Sequence, residues 1–119
     1  MISESRSLRE VLQRAKPALE AMSEAEASEK VGAEVWSKKE ILGHLIDSAA
    51  NNHQRFVRLQ DPAERVSIEY AQEFWVNSQR YQEERWQDLV SLWYFYNLHL
   101  SHVMASIDPA MREIGRAHV

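Results

Sequence analysis

At 119 residues the chain has the length of one small domain, and its 45% hydrophobic content suffices for a core with little surplus stability. A net charge of -4 speaks against a nucleic-acid-binding surface, and the absence of cysteine excludes disulfides, thiolate catalysis and Cys-based zinc sites. No apolar run approaches the ~20 residues needed to cross a bilayer, and the Met1-Ile2-Ser3-Glu4 start lacks a signal peptide's basic and apolar regions, so the expected location is cytoplasmic and no membrane partner is expected.

Three glycines, three prolines and helical spacing throughout predict an all-α domain without repeats. Ser5 or Ser7 is a candidate cap for a first helix, with Leu8, Val11, Leu12, Ala15, Leu19 and Met22 on one side. Pro17 is expected to kink or split it, because the ring removes a donor and clashes with the preceding turn. Residues 23–35 read as an acidic, small-residue connection with one short helical turn over Glu24 to Ala27.

The clearest element is the helix that begins at Ser37, within the segment Trp36 to Leu59. Ser37 and Glu40 form a capping box, in which the hydroxyl takes a first-turn amide and the carboxylate reaches back to the cap. Leu42, Leu45, Ile46, Ala49, Phe56 and Val57 make its apolar stripe, with His53 inside it. His44, Asp47, Ser48, Asn51, Arg55 and Arg58 gather on the other face. Periodicity favours water as the neighbour of that face. Its short hydrogen-bonding side chains, flanked by Ile41 and Leu59, suit a second protein neighbour instead.

Asp61-Pro62 predicts a stop and a loop to about Ser67. A helix is expected from Ser67 to Gln82, with Ile68, Ala71, Phe74 or Trp75 and Ser78 at helical spacing. Tyr81 to Trp86 reads as a tight turn. The last strong helix starts near Trp86 and is expected to reach Ile107, ended by Asp108-Pro109. Its stripe is Leu89, Leu92, Trp93, Tyr96, Leu100, Val103, Met104 and Ile107, and Val90, Tyr94, Phe95 and Leu98 make it apolar almost all round near its start. Such a helix wants neighbours on more than one side. Residues 109–119 are too short and too polar to serve as a further bundle helix.

Imidazole is a good ligand for zinc, nickel or iron, and a catalytic site needs three converging donors and an open position. His99 and His102 stand at i and i+3, a spacing compatible with a shared metal, although packing is the more ordinary role for such a pair. His53 reads as a core histidine bonded to a carbonyl or a tyrosine, and His118 carries no assignment. Asp47, one turn from His44, suits either a carboxylate that fixes the imidazole tautomer or a solvated acid. Ser48, Asn51 and Arg55 continue that face as a small anionic pocket, with an ion pair from Arg55 to Glu69 or Glu73 as the simpler alternative. No motif for nucleophilic catalysis is present.

The runs WSKKEILGHLIDSAANNHQRF, WVNSQRYQ and LWYFYNLHLSHVMASI resemble the DinB-like superfamily, closest to its YfiT-type metal-dependent hydrolases, relatives of the bacillithiol S-transferases. The resemblance covers about residues 5 to 108. It implies an up-and-down four-helix bundle holding one divalent metal between three histidines. His44 matches the first ligand, and the other two belong to a last helix that this chain lacks. NLHLSHV matches a third-helix segment that does not usually supply ligands.

The expectation is therefore a single DinB-like domain over residues 1–119, C-terminally incomplete, with GRAHV as a candidate non-native tail. An enzyme of hydrolase or thiol S-transferase type, weak or inactive in this form, is one functional reading. The other is a non-catalytic bundle that acts through a protein partner or through self-association, as a homodimer or higher, by the Leu89 to Ile107 helix.

Overall fold

The computed structural model describes residues 2–63 and 69–108, and the described residues are mostly helical and contain no strand. The helices are α1 (Ile2–Glu20), α2 (Glu24–Ser28), α3 (Lys38–Arg58), α4 (Gln72–Gln79) and α5 (Trp86–Ala105), with a 3₁₀ turn at Tyr81–Glu83. The all-α expectation is met. Ile68, Ser67, Pro109 and His118 lie outside the described residues, as does the 109–119 tail.

The capping box at Ser37 is present: its hydroxyl accepts from the Glu40 amide at 3.2 Å, and Glu40 Oε1 accepts from the Ser37 amide at 3.0 Å. A second box, Ser23 with Glu26, starts α2. Each box satisfies two amides that the first turn of a helix leaves without partners. Glu40 also takes Lys30 Nζ at 2.5 Å. Burial pushes the Glu40 carboxyl up, but the bonds from Lys30 and Ser37 outweigh it and hold the group below its ordinary value of 4.5. A depressed carboxylate contributes stability above its unfolded value and loses it as pH falls through the folded one. The wild type should therefore exceed Glu40→Gln in urea midpoint at pH 7, with the gap closing by pH 3. An equal gap at both pH values would contradict this role.

α5 is the central helix. Its antiparallel partner α1 is tied at both ends: Ser5 Oγ donates to the Ser101 carbonyl at 2.5 Å, and Trp86 Nε1 donates to the Leu19 carbonyl at 2.7 Å. α3 runs parallel to α5. Leu42 and Ile46 share a buried cluster with Trp86, Leu89 and Trp93, while Ala49, Phe56 and Leu59 share one with Leu100 and Ile107. The three long helices thus do not alternate strictly up and down. The segment containing α4 carries the chain back along the outside, so α3 and α5 point the same way.

Several expectations need correction. α1 begins before Ser5, which is buried inside it and bonds across to α5 rather than capping. Pro17 does not split α1, because only its last turn follows and Leu19, pinned by Trp86, holds that turn in place. α4 is shorter than predicted; of the alternatives Phe74 and Trp75, Phe74 is exposed and Trp75 half buried, while Val76 is the buried residue. α5 ends at Ala105, although Ile107 still packs into the core. The apolar stripe of α5 is largely covered by α1 and α3, and Val90, placed off it, is buried as well. Leu92 and Phe95 stay exposed. Leu45 and Val57, assigned to the buried stripe of α3, are half exposed.

Candidate functional site on the polar face of α3

The polar face of α3 is not a solvated face. Asp47 and Arg55 are buried and His44, Ser48 and Asn51 are half buried. What covers the Asp47 end is the turn after α4. Gly43 makes this possible: a Cβ there would lie 2.1 Å from the Tyr81 ring, so only a bare backbone lets the ring lie against the helix. Tyr81 enters that position through Arg80, which caps α4 in the left-handed region at φ 55°. That conformation is costly for a non-glycine residue.

Seated this way, the Tyr81 hydroxyl donates to Asp47 Oδ1 at 2.6 Å, and Gln79 Nε2 donates to the same oxygen at 2.7 Å. Burial, and then the Asp47 carboxylate, push the Tyr81 phenol above its ordinary value. The phenol is thus a hydrogen-bond donor and not a base. Asp47 Oδ2 is buried with no hydrogen-bond partner. One carboxylate oxygen therefore takes both bonds, and the other faces no donor.

His44 lies one turn before Asp47 but forms no hydrogen bond with it. Its ring lies against Trp36, with centroids 5.3 Å apart, and its Nδ1 is buried without a partner. Ser48 Oγ meets the Tyr70 hydroxyl at 2.8 Å, and Asn51 Nδ2 donates back to the Asp47 carbonyl at 2.8 Å. Arg55 makes no ion pair with Glu69 or Glu73. Its guanidinium lies 4.9 Å over the Phe56 ring with Nε unpartnered, and burial lowers its pKa.

His99 and His102 are exposed on α5 and do not approach His44. The His99 ring meets His53 at 5.2 Å and His102 at 6.2 Å. His53 stands nine residues beyond His44, about 13 Å along the α3 axis. His53 has the expected tyrosine partner, with Nδ1 2.9 Å from the Tyr96 hydroxyl, but is half buried and not a core residue. Among the described residues no three His, Cys, Asp or Glu side chains are grouped so as to hold a metal ion.

Sequence reasoning missed Tyr81, Gln79 and Trp36 as partners of this face. The usable signal was Gly43, a glycine inside a strong helix, which marks a close approach by another group. No protein-family model, curated protein or solved structure matches this chain.

Proposed function

We propose that the chain is a DinB-like helical domain of metal-dependent hydrolase or thiol S-transferase kind. His44 is its first ligand to a divalent nickel, zinc or iron ion. The observation that carries this reading is the buried Nδ1 of His44 with no partner, one turn from the equally unpartnered Oδ2 of Asp47. Leaving such a group unsatisfied costs about 1–3 kcal/mol, a penalty that a ligand would remove. When bound, the ion would lower the pKa of a water or thiol and so supply a nucleophile.

The described residues fit the ion at this one position and do not complete its shell, so no reaction step is derived through it. The chain's own contribution is to hold the imidazole against Trp36 and to keep Asp47 fixed by Tyr81 and Gln79. By the resemblance, two further imidazoles arrive on another helix. His99 and His102 serve packing and the surface of α5 in this arrangement.

Calorimetric titration with nickel and then zinc tests the assignment, with His44→Ala alongside. The expected result is weak binding, of the order of a lone imidazole, that disappears in the variant. Indistinguishable isotherms, together with the same thermal midpoint in excess metal, would remove His44 from the role.

A second reading, a non-catalytic bundle acting through association, is favoured by a different observation: α1 and α3 leave an apolar groove open between them. It expects a mass that rises with concentration and does not respond to a chelator or to His44→Ala.

A further inference from the structure

α1 and α3 each pack along α5 and not along each other. Between them runs a groove with α5 as its floor, formed by two cavities of about 380 and 410 Å³. Val11, Leu45 and Trp93 line both cavities, so the groove is continuous. Lys38 is the one charged residue among its described lining. On one side it carries Leu8, Ala15 and Leu19 of α1 with Met22 just beyond it, and on the other Leu42, Ala49 and Phe56 of α3. Water gains little from such walls, and an apolar helix gains much.

The same α3 also presents a ridge. Ile41 and Leu45, at i and i+4, are each 46% exposed and form the ridge, and Ser48 and Asn52 beyond them are short and half buried. Rows at i±4 are the ridges that seat in grooves between helices. A surface that is at once ridge and groove is what a two-fold contact requires, because each copy offers the same patch to the other. Length matches automatically, since the wall of the groove and the ridge are the same helix.

We propose that the α1–α3 groove is occupied by a second copy of this chain, with the Ile41–Leu45 ridge of each copy seated in the groove of the other. This rests on the association reading and names its surface and its occupant. The area is adequate. Lys38 to Phe56 spans about 27 Å, and two helix diameters make the face roughly 22 Å wide, or about 600 Å² in projection. Over its corrugations that approaches the roughly 800 Å² per partner of a stable interface. Among the described residues Lys38 is the one charged side chain on the patch, so seating a second copy there buries little charge. Leu92 and Phe95 of α5 are exposed too and serve as the comparison surface, with α3 taken as the contact helix.

Sedimentation velocity of the 119-residue chain from about 1 to 200 μM tests this, with Leu45→Arg, Ile41→Arg and Phe95→Arg run in parallel. Leu45 and Ile41 are already half exposed, so the helical circular dichroism and thermal midpoint report that each variant still folds. The expected result is a dimer for wild type and Phe95→Arg, and at least about thirtyfold weaker dimerisation for Leu45→Arg and Ile41→Arg. A dimer that survives both α3 substitutions but is lost in Phe95→Arg overturns this surface while leaving association intact. A wild-type monomer at every concentration overturns both.

Discussion

Gly43→Ala is expected to destabilise the chain by about 3 kcal/mol, unusually much for adding one methyl group inside a helix. On helix propensity alone the change would help, by about 1 kcal/mol. The added carbon would stand 2.1, 2.4 and 2.5 Å from three ring atoms of Tyr81, well inside van der Waals contact. The ring cannot slide aside cheaply, because Tyr81 is buried and its hydroxyl is held by Asp47. Displacing it leaves the buried Asp47 carboxylate with Gln79 as its remaining side-chain donor and opens the core, so overpacking and lost hydrogen bonding act together. The decisive comparison is a double-mutant cycle by urea denaturation. In a Tyr81→Ala background the clash is gone, so Gly43→Ala should become neutral or stabilising there. If its cost is the same in both backgrounds, the close approach is not what the glycine is for.

Trp86→Ala should cost about 3–5 kcal/mol, with loss of the α1–α5 packing at that end. Trp86 is fully buried and its atoms close three separate ends of the molecule. The indole N–H satisfies the Leu19 carbonyl in the last turn of α1. The backbone amide of Trp86 donates to Glu24 Oε2 at 2.8 Å, and Glu24 Oε1 in turn takes the buried Lys39 Nζ at 2.6 Å. One residue thus joins the end of α1, the start of α2 and the first turn of α3 to the start of α5. Trp86→Phe separates the contributions. It keeps most of the ring but removes the shorter of two donors to the Leu19 carbonyl, which still accepts from the Met22 amide at 3.2 Å, so about 1 kcal/mol is expected. Equal thermal midpoints for Phe and Ala variants would mean that the hydrogen bond, not the volume, dominates.

How much of this was legible beforehand depends on whether a signal was local. The capping box at Ser37 needs only four consecutive residues, and α3 starts where it says. The stripe of α5 repeats over five turns, so the buried set Leu89, Trp93 and Leu100 was readable. Errors arose where a distant residue decides. Ser5 looks like a cap, yet its hydroxyl is used 96 residues away on Ser101. Leu45 fits the inner stripe by angle but faces the groove, because α1 does not close over α3. The direction of α3 relative to α5 was likewise hidden, since it depends on how the α4 segment returns. At the site, Asp47 has a partner, but it is Tyr81, brought by an αL residue at Arg80 that no local preference announces.

The placement of α5 between two helices that do not pack on each other has a consequence for the order of events during synthesis. α1 and α3 can each form as helices when they leave the ribosome, but neither offers the other a face to bury. Their shared floor begins at Trp86, 66 residues after α1 ends at Glu20. At roughly 5–20 residues per second, the apolar side of α1 waits several seconds for its partner. During that interval the nascent chain presents Leu8, Leu12, Ala15 and Leu19 to whatever is nearby, and holdase chaperones are suited to cover them.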